Sequence, residues 1–169
     1  LSLKGMAEQS ADLEEFMTRW LPHYCEQASR LIEARAAFLH EKSGFFASFL
    51  VEEGLIEEES FVPMFGIHGM AEAVNLLMDK AGLAGRYGHD EGANQLGHRI
   101  AARLSAWVTT RPQPHAWGGR ALLHSQGGLS LDKGGTPGVR IPYGGAPDPA
   151  SHLLALAPHH GYYHSGISE

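Results

Sequence analysis

Between Phe61 and Asn75 the chain reads FVPMFGIHGMAEAVN, and it gathers several groups that could do chemistry. His68 can carry a proton near neutrality, Glu72 can accept hydrogen bonds as a carboxylate, and Asn75 can both donate and accept. Gly66 and Gly69 let backbone approach closely where a side chain would block it. A helix starting near Gly69 would aim its free N–H groups at whatever lies before it. On that helix Glu72 and Asn75, three apart, share a face, while Met70, Ala73, Val74 and Leu77 turn to a core. Two readings are open: a binding turn, or a tight strand-to-helix joint whose polar groups are merely solvated.

Other groupings point less clearly to chemistry. His159, His160 and His164 invite a metal reading, because imidazoles four apart on a helix share zinc in some proteases. Pro158 and Gly161 interrupt such a helix, Tyr162 and Tyr163 favour strand, and no glutamate stands by as base, so no metal ligand is assigned. Cys25 falls within a helical stripe, and His23, two residues away, faces another side; a buried structural thiol is expected. GGTPGVR, from Gly134 to Arg140, could hold an anion with Arg140 and backbone N–H groups, but lacks the frame and lysine of a phosphate loop. His124 beside Ser125 shows no nucleophile elbow.

The elements that must position these residues follow from periodicity. LSLK at the start reads like the tail of a strand, and both chain ends look cut. Ser10 is expected to cap a helix with Leu13, Phe16, Met17, Trp20, Leu21, Tyr24, Ala28, Leu31, Ile32 and Phe38 as its apolar stripe. Pro22 should kink or split it, and Ser43 and Gly44 should stop it. Phe45 to Val51 reads as a short helical piece. The helix after Gly69 should end near Gly82, and another should run from about Asp90 to Thr109, burying Ala93, Leu96, Ile100, Ala101, Leu104, Trp107 and Val108. Pro112 and Pro114 close it. Arg120 to Gln126 and Gly138 to Tyr143 read as buried strands, and the chain finishes with a helical turn and an extended segment.

Composition limits the function classes. The 169 residues suit a single, partial domain, mainly helical over 1–110 and rich in Gly, Pro and His with short strands over 111–169. Beyond Arg111 the acidic residues are only Asp132, Asp148 and Glu169, yet apolar positions such as Leu122, Leu123, Val139, Ile141, Leu156 and Tyr162 argue for ordered loops joining short buried strands. Net charge is −6 with no basic stripe, which speaks against nucleic acid. One cysteine excludes an internal disulfide or a multi-cysteine zinc site. No apolar run would cross a bilayer and no leader is recognised, so a cytoplasmic protein that engages no membrane is expected.

Taken together, WLPHYCEQ, FLVEEGLI, FVPMFGIHGMAEAVNLL, LLHSQGG, TPGVRIPYG, PDP and APHHGYYHSGIS resemble the YjjI family of glycyl-radical enzymes, related to anaerobic ribonucleotide reductases and pyruvate formate-lyase. The resemblance spans essentially the whole chain. It implies an α/β fold, the helix-rich part of a ten-stranded barrel in which two central loops carry a thiyl-forming cysteine and a radical glycine. Neither residue carries over: Arg-Val-x-Gly followed by an aromatic is absent, and GGRALL and GVRIPY hold its parts in the wrong order. Cys25 matches a family cysteine in the HYC block, but that block lies on a helix beyond the loop expected to bear the thiyl.

The resemblance therefore implies an interior fragment, inert alone, with the glycyl radical installed outside it and no cofactor bound by it. It implies a small-molecule substrate, a radical S-adenosylmethionine activating enzyme with an iron–sulfur cluster, a homodimer at full length, and an anaerobic setting. It places His68, Glu72, Asn75, His124, Gln126, Arg140, Tyr163 and His164 as substrate-binding candidates, with no catalytic residue or metal ligand. An anaerobic ribonucleotide reductase is the second enzyme reading; relatives of that kind tend to place carboxylates on the strand resembling RALLHSQ, where His124 and Gln126 stand here. A structural or interaction module without chemistry is the third.

Overall fold

The computed structural model describes residues 1–125 and 135–163. Helix α1, Leu3–Gln9, opens at Ser2, whose hydroxyl accepts from the Gly5 N–H at 3.2 Å, and buries Leu3, Met6 and Ala7. Ser10 ends this helix and does not cap the next, because its hydroxyl turns back to donate to the Ala7 carbonyl at 2.9 Å. Asp12 takes the capping role for α2, Leu13–Glu15, accepting from the Glu15 N–H at 2.8 Å. A turn of π-helix, Phe16–Trp20, then leads into α3, Leu21–Glu41. The widened turn sits just before Pro22, which has no N–H to give, so the chain stays helical through the place where a kink or split was expected.

Along α3 the buried line is Leu21, Cys25, Ser29 and Ala36. Leu31 and Phe38, expected in that stripe, lie on the outer face at 62% and 56% exposure. Gly44, at φ 67°, closes the helix. One-turn pieces follow, including α4, Phe49–Glu52, with no buried residue among them.

Strand β1, Met64–Gly66, pairs in parallel with β2, Leu122–His124, with Met64 opposite Leu122 and Gly66 opposite His124. The backbone path extends beyond β1: His68 donates to the Leu1 carbonyl at 3.0 Å and accepts from the Leu3 N–H at 3.0 Å, so Ser2 bridges His68 in parallel. LSLK thus supplies a strand-like bridge at Ser2 and gives way at once to α1. Between β1 and β2 come α5, Met70–Lys80, and α6, Glu91–Thr110. Lys80 donates to the Ala7 and Ser10 carbonyls, placing its charge at the C-terminal end of α1.

The core is where α1, α5 and α6 meet β1 and β2. It contains Met70, Ala73, Val74 and Leu77 from α5, and Ala93, Leu96, Ile100, Ala101, Leu104 and Val108 from α6. Gly138–Tyr143 is not a strand: Pro137 makes one antiparallel bridge with His68, and the backbone then turns at Gly138, φ 58°. The chain continues to α7, Pro149–Leu156, and a 3₁₀ segment, Ala157–Gly161, where extended backbone was expected. The result is helix-rich with a small parallel sheet, compatible with an α/β fold. No helix of the described residues is long and apolar enough to cross a membrane.

Candidate functional site

The strand-to-helix joint builds the site's first wall. Gly69 adopts φ 79° at the start of α5, and a Cβ there would lie 2.9 Å from the Lys4 Cβ. Only a glycine lets β1 turn into α5 this close to α1. The turn puts Glu72 in the first helical turn, where the helix N-terminus favours negative charge. Its Oε1 accepts from both the Thr136 N–H, at 2.7 Å, and the Thr136 hydroxyl, at 2.6 Å. Its Oε2 is buried and has no partner among the described residues.

Glu72 and Thr136 line a cleft of about 680 Å³ together with Arg140, Tyr143 and His152. The volume is within the range of small-molecule sites. His152 reaches it from α7, and its Nε2 is likewise buried without a partner among the described residues. Leaving such groups unsatisfied costs about 1–3 kcal/mol each, so a ligand that completes their hydrogen bonds is stabilised by doing so.

A clamp on Val139 holds the second wall. The Val139 N–H donates to Ser125 Oγ at 3.2 Å, and its carbonyl accepts from the Tyr87 hydroxyl at 2.9 Å. Because that hydroxyl spends its proton on Val139, the His159 Nε2 at 2.9 Å must donate to Tyr87, which fixes the neutral tautomer with the proton on Nε2. Burial pushes His159 down to about 3, helped by neighbouring His98 and His160, so this imidazole stays neutral. Glycines allow the fit: a Cβ on Gly138 would fall 2.1 Å from Ser125 Oγ, and one on Gly88 would fall 2.1 Å from Ile141 Cδ1. Arg140 follows directly on the clamped residue.

Of the sequence candidates, Glu72 and Arg140 come together at the cleft. His68 stands beside it, its Nδ1 3.3 Å from where a Cβ on Gly135 would lie, and burial lowers its pKa while Glu72 opposes the shift. Asn75 shares the α5 helix with Glu72 but braces a loop, accepting from the Tyr87 N–H at 2.8 Å. His124 ends β2 opposite Gly66. Tyr163 is buried near His159, and burial raises its pKa. Gln126 and His164 lie outside the described residues. Cys25 is buried, and burial pushes its thiol up to about 12, as suits a structural cysteine. His160 belongs to the 3₁₀ turn, so the strand reading behind the spacing of residues 160 and 164 does not hold. Among the described residues no three His, Cys, Asp or Glu side chains converge to hold a metal.

Sequence reasoning missed Thr136, His152 and the Tyr87–His159 pair. Thr136 lay inside the GGTPGVR segment already weighed for anion binding, and that was its only signal. His152 had only the Asp148-Pro149 helix start to place it on α7.

The family model described as "Glycyl radical enzyme YjjI-like" matches residues 1–169. The chain belongs to that family. It is 55% identical over 170 residues to the YjjI protein of Escherichia coli K12, covering 100% of this chain and 33% of that protein. It is 33% identical over 175 residues to a protein of Haemophilus influenzae Rd, covering 100% of this chain and 34% of the relative. The chain thus spans about a third of the length of the curated relatives it matches. No solved structure matches it. Of the motif blocks read from the sequence, FVPMFGIHGMAEAVNLL spans β1 and the start of α5, TPGVRIPYG runs along the cleft wall, WLPHYCEQ opens α3 and FLVEEGLI begins at α4.

Proposed function

We propose that this chain forms part of the substrate-cavity wall of a glycyl-radical enzyme with a small-molecule substrate. The family match over all 169 residues carries the reading. The cleft supports it, because a site that steers a radical must exclude water and still offer a few fixed polar groups to orient its substrate. Glu72, held by Thr136, and Arg140, held through Val139, are such groups. The parallel pairing of β1 with β2 across two helices suits the wall of an α/β barrel.

The glycine-centred radical supplies hydrogen-atom abstraction. No residue of this chain matches its signature, so the radical glycine and thiyl cysteine are assigned to the rest of the longer polypeptide, and these 169 residues alone are predicted inactive. The same reading includes a radical S-adenosylmethionine activating partner, a homodimer, and work in the anoxic cytoplasm. The full-length protein, incubated anaerobically with its activating enzyme, is expected to show a glycine-centred radical by electron paramagnetic resonance. Absence of that signal, with the activating enzyme shown to be active, would contradict the proposal.

A further inference from the structure

One edge of β1 is paired with β2, and the other is covered over only part of its length. On that second edge the Leu1 nitrogen donates to the Gly66 carbonyl at 2.7 Å, the His68 N–H donates to the Leu1 carbonyl, and the Leu3 N–H donates to the His68 carbonyl. These bonds form a short parallel ladder with Ser2 opposite His68. Alternation along a strand turns the Gly66 N–H and the Met64 carbonyl to this same edge, beyond the reach of Leu1. Such edge groups are a template for another strand.

The edge leads into a groove. Beside Met64, which is 50% exposed, lies a hollow of about 220 Å³, lined by Ile32, Arg35, Ala36 and Leu39 of α3 and by Pro63 and Met64. Tyr24, near the start of α3, shares another hollow with Leu1. Helix α3 therefore follows this edge from Leu1 towards Met64 and covers the path a strand would take. The Leu1 nitrogen points the same way: burial lowers the pKa of this α-amine, because a charged ammonium loses solvation there. A peptide N–H makes the same bond to Gly66 without a charge to desolvate.

We propose that in the longer polypeptide the segment immediately preceding Leu1 is a parallel strand on β1, seated in the groove under α3. The chain covers 33% and 34% of its two relatives, so a polypeptide of that length has residues to fill the groove. Continuing the register of Ser2 and His68 sets the second residue before Leu1 to donate to the Met64 carbonyl and accept from the Gly66 N–H. The third residue before Leu1 then stands opposite Met64, and the mostly apolar groove calls for an apolar side chain there. A segment joined to Leu1 is delivered to this edge by the covalent chain, whereas a second copy would have to abut Leu1 to continue the ladder. This goes beyond the cavity reading and needs only the longer polypeptide, not the radical.

Photo-cross-linking of the full-length protein tests it. Met64→p-benzoylphenylalanine, irradiated and mapped by mass spectrometry, should give a single-chain product joined within about four residues before Leu1. Arg35→p-benzoylphenylalanine repeats the measurement from the exposed side of α3 and decides the matter should thermal unfolding show that the Met64 variant is misfolded. In the unsubstituted protein the Gly66 amide should exchange at least about a hundredfold more slowly than an unstructured amide, at every protein concentration. A two-chain product would assign the groove to a second copy and overturn the proposal. Cross-links to any other part of the chain, no cross-link at all, or fast Gly66 exchange would also overturn it. The radical measurement is separate: a radical formed in a protein that fails these tests removes the strand alone, and the expected cross-link without a radical removes the enzyme reading alone.

Discussion

Glu72 shows how a single side chain is set up by a residue 64 positions away. Its helix and its face were legible in GMAEAVN, since helical spacing decides both. Thr136 was not legible as its partner, because nothing local encodes a contact that exists only once the polypeptide returns past β2. Thr136→Val removes the hydroxyl donor and keeps the shape, so it should cost about 1.5–3 kcal/mol in urea unfolding, as hydrogen bonds to a charged group do. His159 gives a pH prediction. Its pKa is lowered from 6.5 to about 3 in the folded protein, so between those values the unfolded chain binds more protons. The stabilisation is therefore present above pH 6.5 and is lost as the pH falls towards 3. His159→Gln should lower stability at neutral pH and flatten that acid limb in urea melts at stepped pH; a slope matching wild type would show that His159 does not titrate this way. Cys25 has the opposite sign: with its thiol raised from 9.0 to about 12, stability contributed below pH 9.0 is lost as the pH rises through 12. Its alkylation by iodoacetamide at mildly alkaline pH should accordingly wait for unfolding.

At the scale of elements, periodicity carried furthest where one helix faces one core. Every residue expected in the α6 stripe is buried except Trp107, which is only partly covered. It failed where backbone conformation decides: Gly138 turns away from the sheet at φ 58°, so a run of apolar residues that reads as a strand becomes the clamped cleft wall. On α3 the pattern admitted two faces, and the core took the one through Leu21, Cys25 and Ala36, leaving Leu31 and Phe38 outside. Gly97 tests the packing of α6. An alanine in a helix interior ordinarily gains about 1 kcal/mol over glycine. Here its Cβ would stand 2.6 Å from the Tyr87 Cε2, on the ring that clamps Val139. Gly97→Ala should therefore destabilise by about 1–3 kcal/mol despite its better propensity, measured by thermal unfolding. A gain in stability would mean that the Tyr87 ring is free to move aside.

Across the whole molecule, burial is uneven, and this sets which parts open first. The core joins α1, α5 and α6 through side chains that are almost wholly buried, and Lys80 ties α5 to the end of α1. The pieces between Phe45 and Ser60 contribute no buried residue, and their backbone hydrogen bonds close only single turns. Local stability follows buried apolar contact and protected hydrogen bonds, so opening these turns should require far less free energy than opening α5 or α6. The cleft depends on both kinds of support: Glu72 rides on the core helix α5, whereas Arg140 is held by the Val139 clamp. Hydrogen exchange read by mass spectrometry should then rank the amides in three groups, with 45–60 exchanging first, 137–141 next and 70–80 with 91–108 last. Tyr87→Phe removes the donor to the Val139 carbonyl and should move only the middle group towards faster exchange. If 137–141 kept its protection in that variant, the Tyr87 hydroxyl would not be what holds the second wall.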